Sequence, residues 1–271
     1  MTGMAAGGLF NGLDGWDPAP LRKHLSNAGF HREGLEKLGL PERWLRSAVP
    51  RAALLGRVEP DSPLETLVRL FTLGDAVGGD RALHALGDSI HGLLEIGFLA
   101  AGGGTVRSHY QIFPVDGGWF ATDFHRRQGE DVDDYVMGVG PSSILLASLT
   151  PPLFGGKVLE LACGIGWLAA NLAKQGAVVT ATDLNSRALE LGRFSTRLCG
   201  VNGVDFRHGE GFEPVAGETF DLIVSNPPYV QSPGGQMTYK EARPGDPVCA
   251  RLLGEIPRHL APGGVADSLA A

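Results

Sequence analysis

Two short stretches of this 271-residue chain put polar groups where the backbone is tightly constrained. The first is Glu160-Leu161-Ala162-Cys163-Gly164-Ile165-Gly166, at the end of an apolar run. Gly164 and Gly166 permit a tight turn, and a ligand can lie against bare backbone where the next helix starts. Glu160, an acid just ahead of the loop, suits a ligand carrying an ammonium rather than a pyrophosphate. Asp183 closes the next apolar run, where a carboxylate can accept hydrogen bonds from ribose hydroxyls. The second stretch is Asn226-Pro227-Pro228-Tyr229, after Phe220 to Ser225. A prolyl-proline does not fit inside a central strand, so it marks the strand's end. The Asn226 side-chain oxygen and the Pro227 carbonyl can accept both hydrogens of one planar nitrogen. Two prolines stiffen the loop that holds them, and Tyr229 offers a flat face for stacking.

The elements that must position these groups follow a strand-helix rhythm. Lys157 to Ala162, Ala177 to Thr182, Val204 to Arg207 and Phe220 to Ser225 read as strands. Helices from about Gly166 to Gln175 and from Ser186 to Cys199 lie between them. Such alternation predicts a parallel sheet with any ligand at the carboxyl ends of its strands. Further upstream the pattern is helical. Pro18 and Pro20 open a segment running to about Asn27, and Pro41 to Val49 reads as a short helix. Ser62-Pro63-Leu64-Glu65 has the form of a capping box, with Leu64, Leu67, Val68 and Phe71 on one helical face. Asp80 to Leu86 and Ser89 to Phe98 follow as short helices. Val106 to Val115 and Trp119 to Phe124 read as a hairpin turning at Asp116-Gly117-Gly118. Helices followed by a hairpin resemble a winged-helix module in element order, which serves either docking or packing.

Composition narrows the class. Hydrophobic residues make up 43% and charged residues 20%, enough for a core and unlike a disordered chain. No apolar run approaches the roughly 20 residues of a membrane span, and no signal peptide is recognisable. Cys163, Cys199 and Cys249 stand apart, without metal-ligand spacing, which points to a reducing, cytoplasmic setting and to no metal. Cys163 reads as a small loop residue. The formal charge of −7 gives no overall attraction to nucleic acid. The tight basic group His125-Arg126-Arg127, followed by the carboxylates from Glu130 to Asp134, reads as a solvated linker.

The glycine loop alone leaves two readings open, because Gly164 to Ala169 also fits the dinucleotide fingerprint G-x-G-x-x-A. Strand four resolves it. With Asn226-Pro227-Pro228-Tyr229 at its end, the chain resembles the class I S-adenosylmethionine-dependent methyltransferases with an Asn-Pro-Pro-Tyr loop. That group includes HemK-like protein-glutamine methyltransferases and enzymes methylating amino groups of bases in DNA or RNA. The resemblance runs from about Gly138 to Gly264. It implies an α/β, Rossmann-like methyltransferase sheet behind a mainly helical, winged-helix-like N-terminal domain. The divisions expected are a flexible N-terminus (1–16), a helical domain with hairpin (17–128), a linker and lead-in helix (129–150) and an S-adenosylmethionine-binding domain (151–271).

The resemblance carries over residue by residue. Asn226, Pro227, Pro228 and Tyr229 take the catalytic positions. Glu160, Ala162, Gly164, Gly166, Asp183, Leu184, Glu210, Gly211 and Asn226 take cofactor-binding ones. Ala162 stands where glycine is commoner, and Glu210 where aspartate usually meets the adenine amino group. Gly138-Val139-Gly140 either closes over the methionine part or simply turns into a helix. The implied reaction is transfer of a methyl group from S-adenosyl-L-methionine to a planar nitrogen. The partner would be a protein bearing a release-factor-like glutamine or, alternatively, rRNA, tRNA or DNA. A nucleotide-dependent oxidoreductase and a non-catalytic cofactor-binding remnant are the readings from other classes. His259 to Gly264 reads as the turn into strand five, and the family's strands six and seven have no sequence here. The sheet is therefore expected to be incomplete, with strand four at or near an exposed edge and reduced stability.

Overall fold

The computed structural model of the protein describes residues 8–39, 51–115, 118–124, 134–152, 155–228, 230–231, 241–242 and 248–269. The chain divides into two compact units, residues 1–127 with 197–200 and residues 128–196 with 201–271. The helix expected over Pro41 to Val49, the Asp116-Gly117 turn, the His125 to Arg127 group, Glu130 to Asp133 and Tyr229 lie outside the described residues.

In the N-terminal unit, helices α1 (Ala19–Asn27), α2 (Arg32–Lys37) and α3 (Arg51–Leu55) precede α4 (Pro63–Leu67), which widens into a π-helical turn over Val68–Leu73. Ser62 caps α4 by accepting from the Glu65 amide at 3.1 Å. The reciprocal half of the capping box goes elsewhere. The buried Glu65 carboxylate accepts from the Asp61 amide at 3.1 Å, from Arg69 Nε at 2.6 Å and from Arg81. A buried carboxylate needs such paired cations, which hold its carboxyl below the usual range against the opposing effect of burial. Leu67, Val68 and Phe71 are fully buried, on the face their spacing predicts.

Next come β1 (Val77–Gly78), α5 (Gly79–Leu86), α6 (Ser89–Glu95), β2 (Leu99–Gly102) and β3 (Thr105–Ser108), with sheet order β1-β3-β2, all antiparallel. This strand order is the one a winged-helix resemblance implies, with the hairpin β2–β3 turning at Gly103-Gly104, both at positive φ. The stretch expected as one strand from Val106 to Val115 breaks at His109-Tyr110. Its second part, β4 (Gln111–Val115), pairs with β5 (Gly118–Thr122). Two hairpins therefore stand where one was expected. The expectation of a flexible 1–16 fails for its described part. Phe10, Leu13 and Trp16 are buried, and the Phe10 ring stacks on Phe98 at 6.0 Å and meets Tyr110 edge-on at 5.4 Å. Glycine-rich sequence hid three large anchors whose burial outweighs the ordering cost.

In the C-terminal unit, α7 (Pro141–Leu149) leads into β6 (Lys157–Leu161), α8 (Trp167–Lys174), β7 (Val178–Asp183), α9 (Ser186–Cys199), β8 (Val204–His208), β9 (Phe220–Ser225), a short pair β10 (Val230–Gln231) and β11 (Glu241–Ala242), α10 (Val248–His259) and β12 (Leu260–Ser268). The main sheet has order β12-β9-β6-β7-β8 and is parallel throughout. The lead-in helix α7 falls in this unit with the sheet. The fourth strand, β9, lies near the edge as expected, one strand in from the edge strand β12. β12 pairs along Leu222 to Ser225, and Pro262-Gly263-Gly264 lies within β12 at a register shift between Leu260 and Val265.

One core cluster joins Leu159, Leu161, Val215, Phe220, Ile223, Leu252 and Ile256 beneath β6 and β9. Replacing Phe220 (2% exposed) by Ala should cost about 3–5 kcal/mol in urea melts. Leu145→Ala at a site 51% exposed should stay within about 0.5 kcal/mol.

Candidate functional site

Parallel, in-register pairing sets Leu161 opposite both Thr182 and Ser225, so β6, β7 and β9 end at one edge of the sheet. The chain leaves that edge in three places, at Ala162 to Gly166, after Asp183 and at Asn226. The Ser225 hydroxyl donates to the Leu161 carbonyl at 3.2 Å, fastening two of these exits together.

The glycine loop is built from left-handed residues. Ala162, Gly164 and Gly166 have φ of 54°, 54° and 63°. For Ala162 this conformation costs about 1–2 kcal/mol relative to a right-handed one. An alanine here differs from a glycine through backbone strain more than through the bulk of its methyl. At Gly166, an added Cβ would stand 2.5 Å from the Phe206 ring, and one at Gly192 in α9 would stand 2.8 Å from it. Phe206 is thus wedged under the loop in space that two glycines leave. A Cβ at Gly164, by contrast, would meet nothing within 4 Å, so that side of the loop is open.

Asp183 holds the loop in place. One carboxylate oxygen accepts from the Gly164 amide at 2.7 Å and the other from the Asn185 amide at 2.8 Å. Burial raises its carboxyl above the usual range, opposed by these amides and by His208. The next side chain, Leu184, is 65% exposed. Glu160 is 7% exposed, and one of its oxygens accepts from the Ala169 amide at 2.8 Å, capping α8. Burial, reinforced by the Asp183 charge, pushes its carboxyl up to about 8. Cys163 is buried between these acids. Burial first, then their charges, raise its thiol, which leaves it an inert loop residue.

Asn226 sits at the end of β9. Its Nδ2 donates to Ser142 Oγ at 3.0 Å and to Ser143 Oγ at 3.1 Å, both in the first turn of α7. Its Oδ1 is buried and accepts nothing among the described residues. Pro227 is buried and Pro228 half-buried beside it. Glu210 follows β8, as expected. Its carboxylate pairs with Arg251 of α10, so it is already engaged at a half-exposed position. Its neighbour Gly211 has φ of 54°, and a Cβ there would lie 3.1 Å from Leu252. Sequence reasoning missed Ser142, Ser143 and Arg251. A serine pair in a first helical turn reads as ordinary capping chemistry, and nothing in spacing links it to residue 226.

The donor set fits a cationic, ribose-bearing ligand. It offers an open, amide-lined loop, a carboxylate with lone pairs left beside it, and a buried acid with one oxygen free of hydrogen bonds among the described residues. No group of His, Cys, Asp or Glu among the described residues could hold a metal ion, and no described helix is long and apolar enough to cross a membrane.

A carboxyl raised in the folded state to about 8 from 4.5 binds its proton more tightly there. Its contribution to stability is therefore full below about pH 4.5 and is lost as pH rises through 8. In urea melts at pH 5, 6.5, 8 and 9, Glu160→Gln should gain on the wild type as pH rises and level off above 8. A constant difference across that range would remove Glu160 as the titrating group. Gly166→Ala should destabilise at every pH, because both φ and the Phe206 ring oppose a side chain.

Residues 138–265 match the family described as "Methyltransferase small domain", and residues 44–109 match a domain of unknown function, DUF7059. Among curated proteins, a release factor glutamine methyltransferase of Xylella fastidiosa is 37% identical over 121 residues, 40% of this chain and 44% of that protein. A ribosomal protein uL3 glutamine methyltransferase of Bradyrhizobium diazoefficiens is 33% identical, over 50% of this chain and 46% of that one. A ribosomal RNA small subunit methyltransferase C of Alcanivorax borkumensis is 32% identical, over 46% and 35%. The chain spans less than half the length of each of these relatives. Residues 138–265, which hold the glycine loop, Asp183 and Asn226, are thus the segment that matches the methyltransferase small domain, folded as a Rossmann-like methyltransferase sheet.

Proposed function

We propose that this protein is an S-adenosyl-L-methionine-dependent N-methyltransferase whose acceptor is a planar nitrogen, a glutamine side-chain amide in a protein. When bound, the cofactor supplies an activated methyl group on a positively charged sulfur. The observation that carries the reading is the Asn226 amide, held by its nitrogen while its buried oxygen has no donor. A buried acceptor left unpaired costs about 1–3 kcal/mol, so it marks a place where an incoming N–H donor would be favoured.

An amide nitrogen is a poor nucleophile because its lone pair is shared with the carbonyl. Asn226 Oδ1 and the Pro227 carbonyl accept the two N–H hydrogens of the substrate amide, which favours rehybridisation and directs the lone pair at the methyl carbon. A nitrogen–carbon bond forms as the carbon–sulfur bond breaks, and one proton leaves the nitrogen for solvent. Gly164 and Gly166 bring backbone against the methionine part of the cofactor, with the free Glu160 oxygen as acceptor for its ammonium. Asp183 meets the ribose, and Leu184 gives the adenine an apolar face. Tyr229 stacks on the substrate amide. Glu210 reaches the adenine amino group only by sharing its carboxylate with Arg251.

A protein substrate is favoured by charge. In a winged-helix order the helix before the wing faces a partner, and α6 with its N-cap exposes Asp88, His91 and Glu95. That surface lacks the basic footprint of nucleic-acid docking. The second reading, methylation of a base amino group in RNA, draws on the winged-helix strand order and on the rRNA methyltransferase relative.

Isothermal titration with S-adenosylhomocysteine should show one site. With methyl-labelled cofactor and a bacterial release factor or ribosomal RNA, label should enter the release factor, and Asn226→Ala should lower turnover at least ~100-fold. Label in RNA alone would replace the glutamine reading with the second one. Absence of S-adenosylhomocysteine binding would refute both.

A further inference from the structure

We infer that Ser142 and Ser143 are positioning residues for Asn226: their hydroxyls hold its amide nitrogen so that the oxygen, and not the nitrogen, is presented to the substrate. The inference rests on the proposed methyl transfer and deepens it.

A terminal amide has two faces of opposite character, since its oxygen only accepts and its NH2 only donates. Rotated by half a turn, Asn226 would aim two donors at a nitrogen that itself carries hydrogens, and no productive bond could form. Something must therefore choose the orientation. Among the described residues, the groups touching the amide nitrogen are two hydroxyls on consecutive residues of one helical turn, at 3.0 and 3.1 Å. Both Nδ2 hydrogens are thereby used at once. A single acceptor would leave the amide free to swing, whereas two fix its plane.

The helix itself is well set for this task. Pro141 occupies the first position of α7 with Gly140 as N-cap, so Ser142 and Ser143 fall at its second and third positions. There the helical backbone is pre-formed, and short serine side chains lose little rotamer freedom on being aimed. Asn226 lies 84 residues from Ser142 in sequence and opens an Asn-Pro-Pro segment whose two prolines have fixed φ. The same contact gives α7 a role in the reaction without touching substrate.

The orientation also carries specificity. An acceptor oxygen selects substrates that donate hydrogens, such as primary amides and exocyclic amines. It disfavours ring nitrogens with an exposed lone pair, which would face oxygen with oxygen-like repulsion.

The test uses the full chain labelled with 15N, in which the Asn226 side-chain NH2 signal is assigned by its loss in Asn226→Asp. In the wild type its hydrogen exchange should be at least ~10-fold slower than that of exposed side-chain amides, since both hydrogens are bonded. The S142A/S143A double variant should bring exchange to the exposed rate, and S142T/S143T should restore protection. In release-factor methylation, S142A/S143A should lower kcat by about 10- to 100-fold with little change in KM for the release factor. Its S-adenosylhomocysteine affinity, read by titration calorimetry, should match the wild type. Equal exchange in wild type and S142A/S143A, or wild-type kcat in the double variant, would overturn the inference. A wild type that binds no S-adenosylhomocysteine or methylates no release factor would instead defeat the proposed function, with the exchange comparison still deciding whether the serines hold the amide.

Discussion

Parallel pairing without slippage among β6, β7 and β9 is the constraint on which the candidate site depends. A one-residue shift would turn every side chain of a strand to the other face and move its end by more than 3 Å. With Leu161, Thr182 and Ser225 level, the left-handed loop, the Asp183 carboxylate and the Asn226 amide emerge side by side. Each exit is then tied to a neighbour. The Cys163 amide reaches the Thr182 carbonyl at 3.0 Å, Gly164 reaches Asp183, and Ser225 reaches Leu161. The apolar interior fixes the register. Val158, Leu159, Val179, Ala181, Leu222, Ile223 and Val224 are buried on both sides of the sheet, so a shifted strand would expose core.

Much of this was legible from residue types alone. The strand-helix alternation predicted the parallel sheet, with most boundaries displaced by a residue or so. The helix over Ser186–Cys199 and the strand over Phe220–Ser225 came out with the expected ends. Those signals are local, since apolar runs, glycines and a prolyl-proline act on their own backbone. Contacts between distant residues were the opposite case. The Glu210–Arg251 pair and the two serines at Asn226 join segments 41 and more than 80 residues apart, and no spacing rule reports them. Glu65 shows the same limit on a smaller scale. Its position marked a capping box, yet two arginines and the Asp61 amide claimed its carboxylate.

The N-terminal region misled for a different reason. Between Gly102 and Phe124 the sequence holds β-forming residues almost continuously, and pattern alone placed a single hairpin there. The structure keeps the expected pairing of Gln111–Val115 with Gly118–Thr122 and adds an earlier turn at Gly103-Gly104, because two consecutive residues at positive φ make a tight hairpin that Val106 and Ser108 then seal inward. Similarly, Phe10, Leu13 and Trp16 lie in sequence that looks featureless, yet side-chain size outweighs the glycines around them. Local propensity is a weak guide where large aromatic anchors can reach a core.

Four departures from good packing meet in one place. Ala162 adopts a left-handed backbone, Glu160 and Asp183 are acids whose charge burial opposes, and Asn226 Oδ1 lies buried without a donor. All four sit at the carboxyl edge of the same three strands. Beneath that edge the core cluster around Phe220 and Ile223 is apolar and closely filled. Sequences that fold well agree across local and global levels and tend to break that agreement where function demands it. Departures elsewhere, such as Asp61 at φ of 60° and the buried Thr72 Oγ1 with no partner among the described residues, lie apart from these four. The convergence of the four fits a surface kept unsatisfied for a cationic ligand and an N–H donor. Each would relieve the defect nearest to it, the ligand easing the buried acids and the donor completing the amide oxygen.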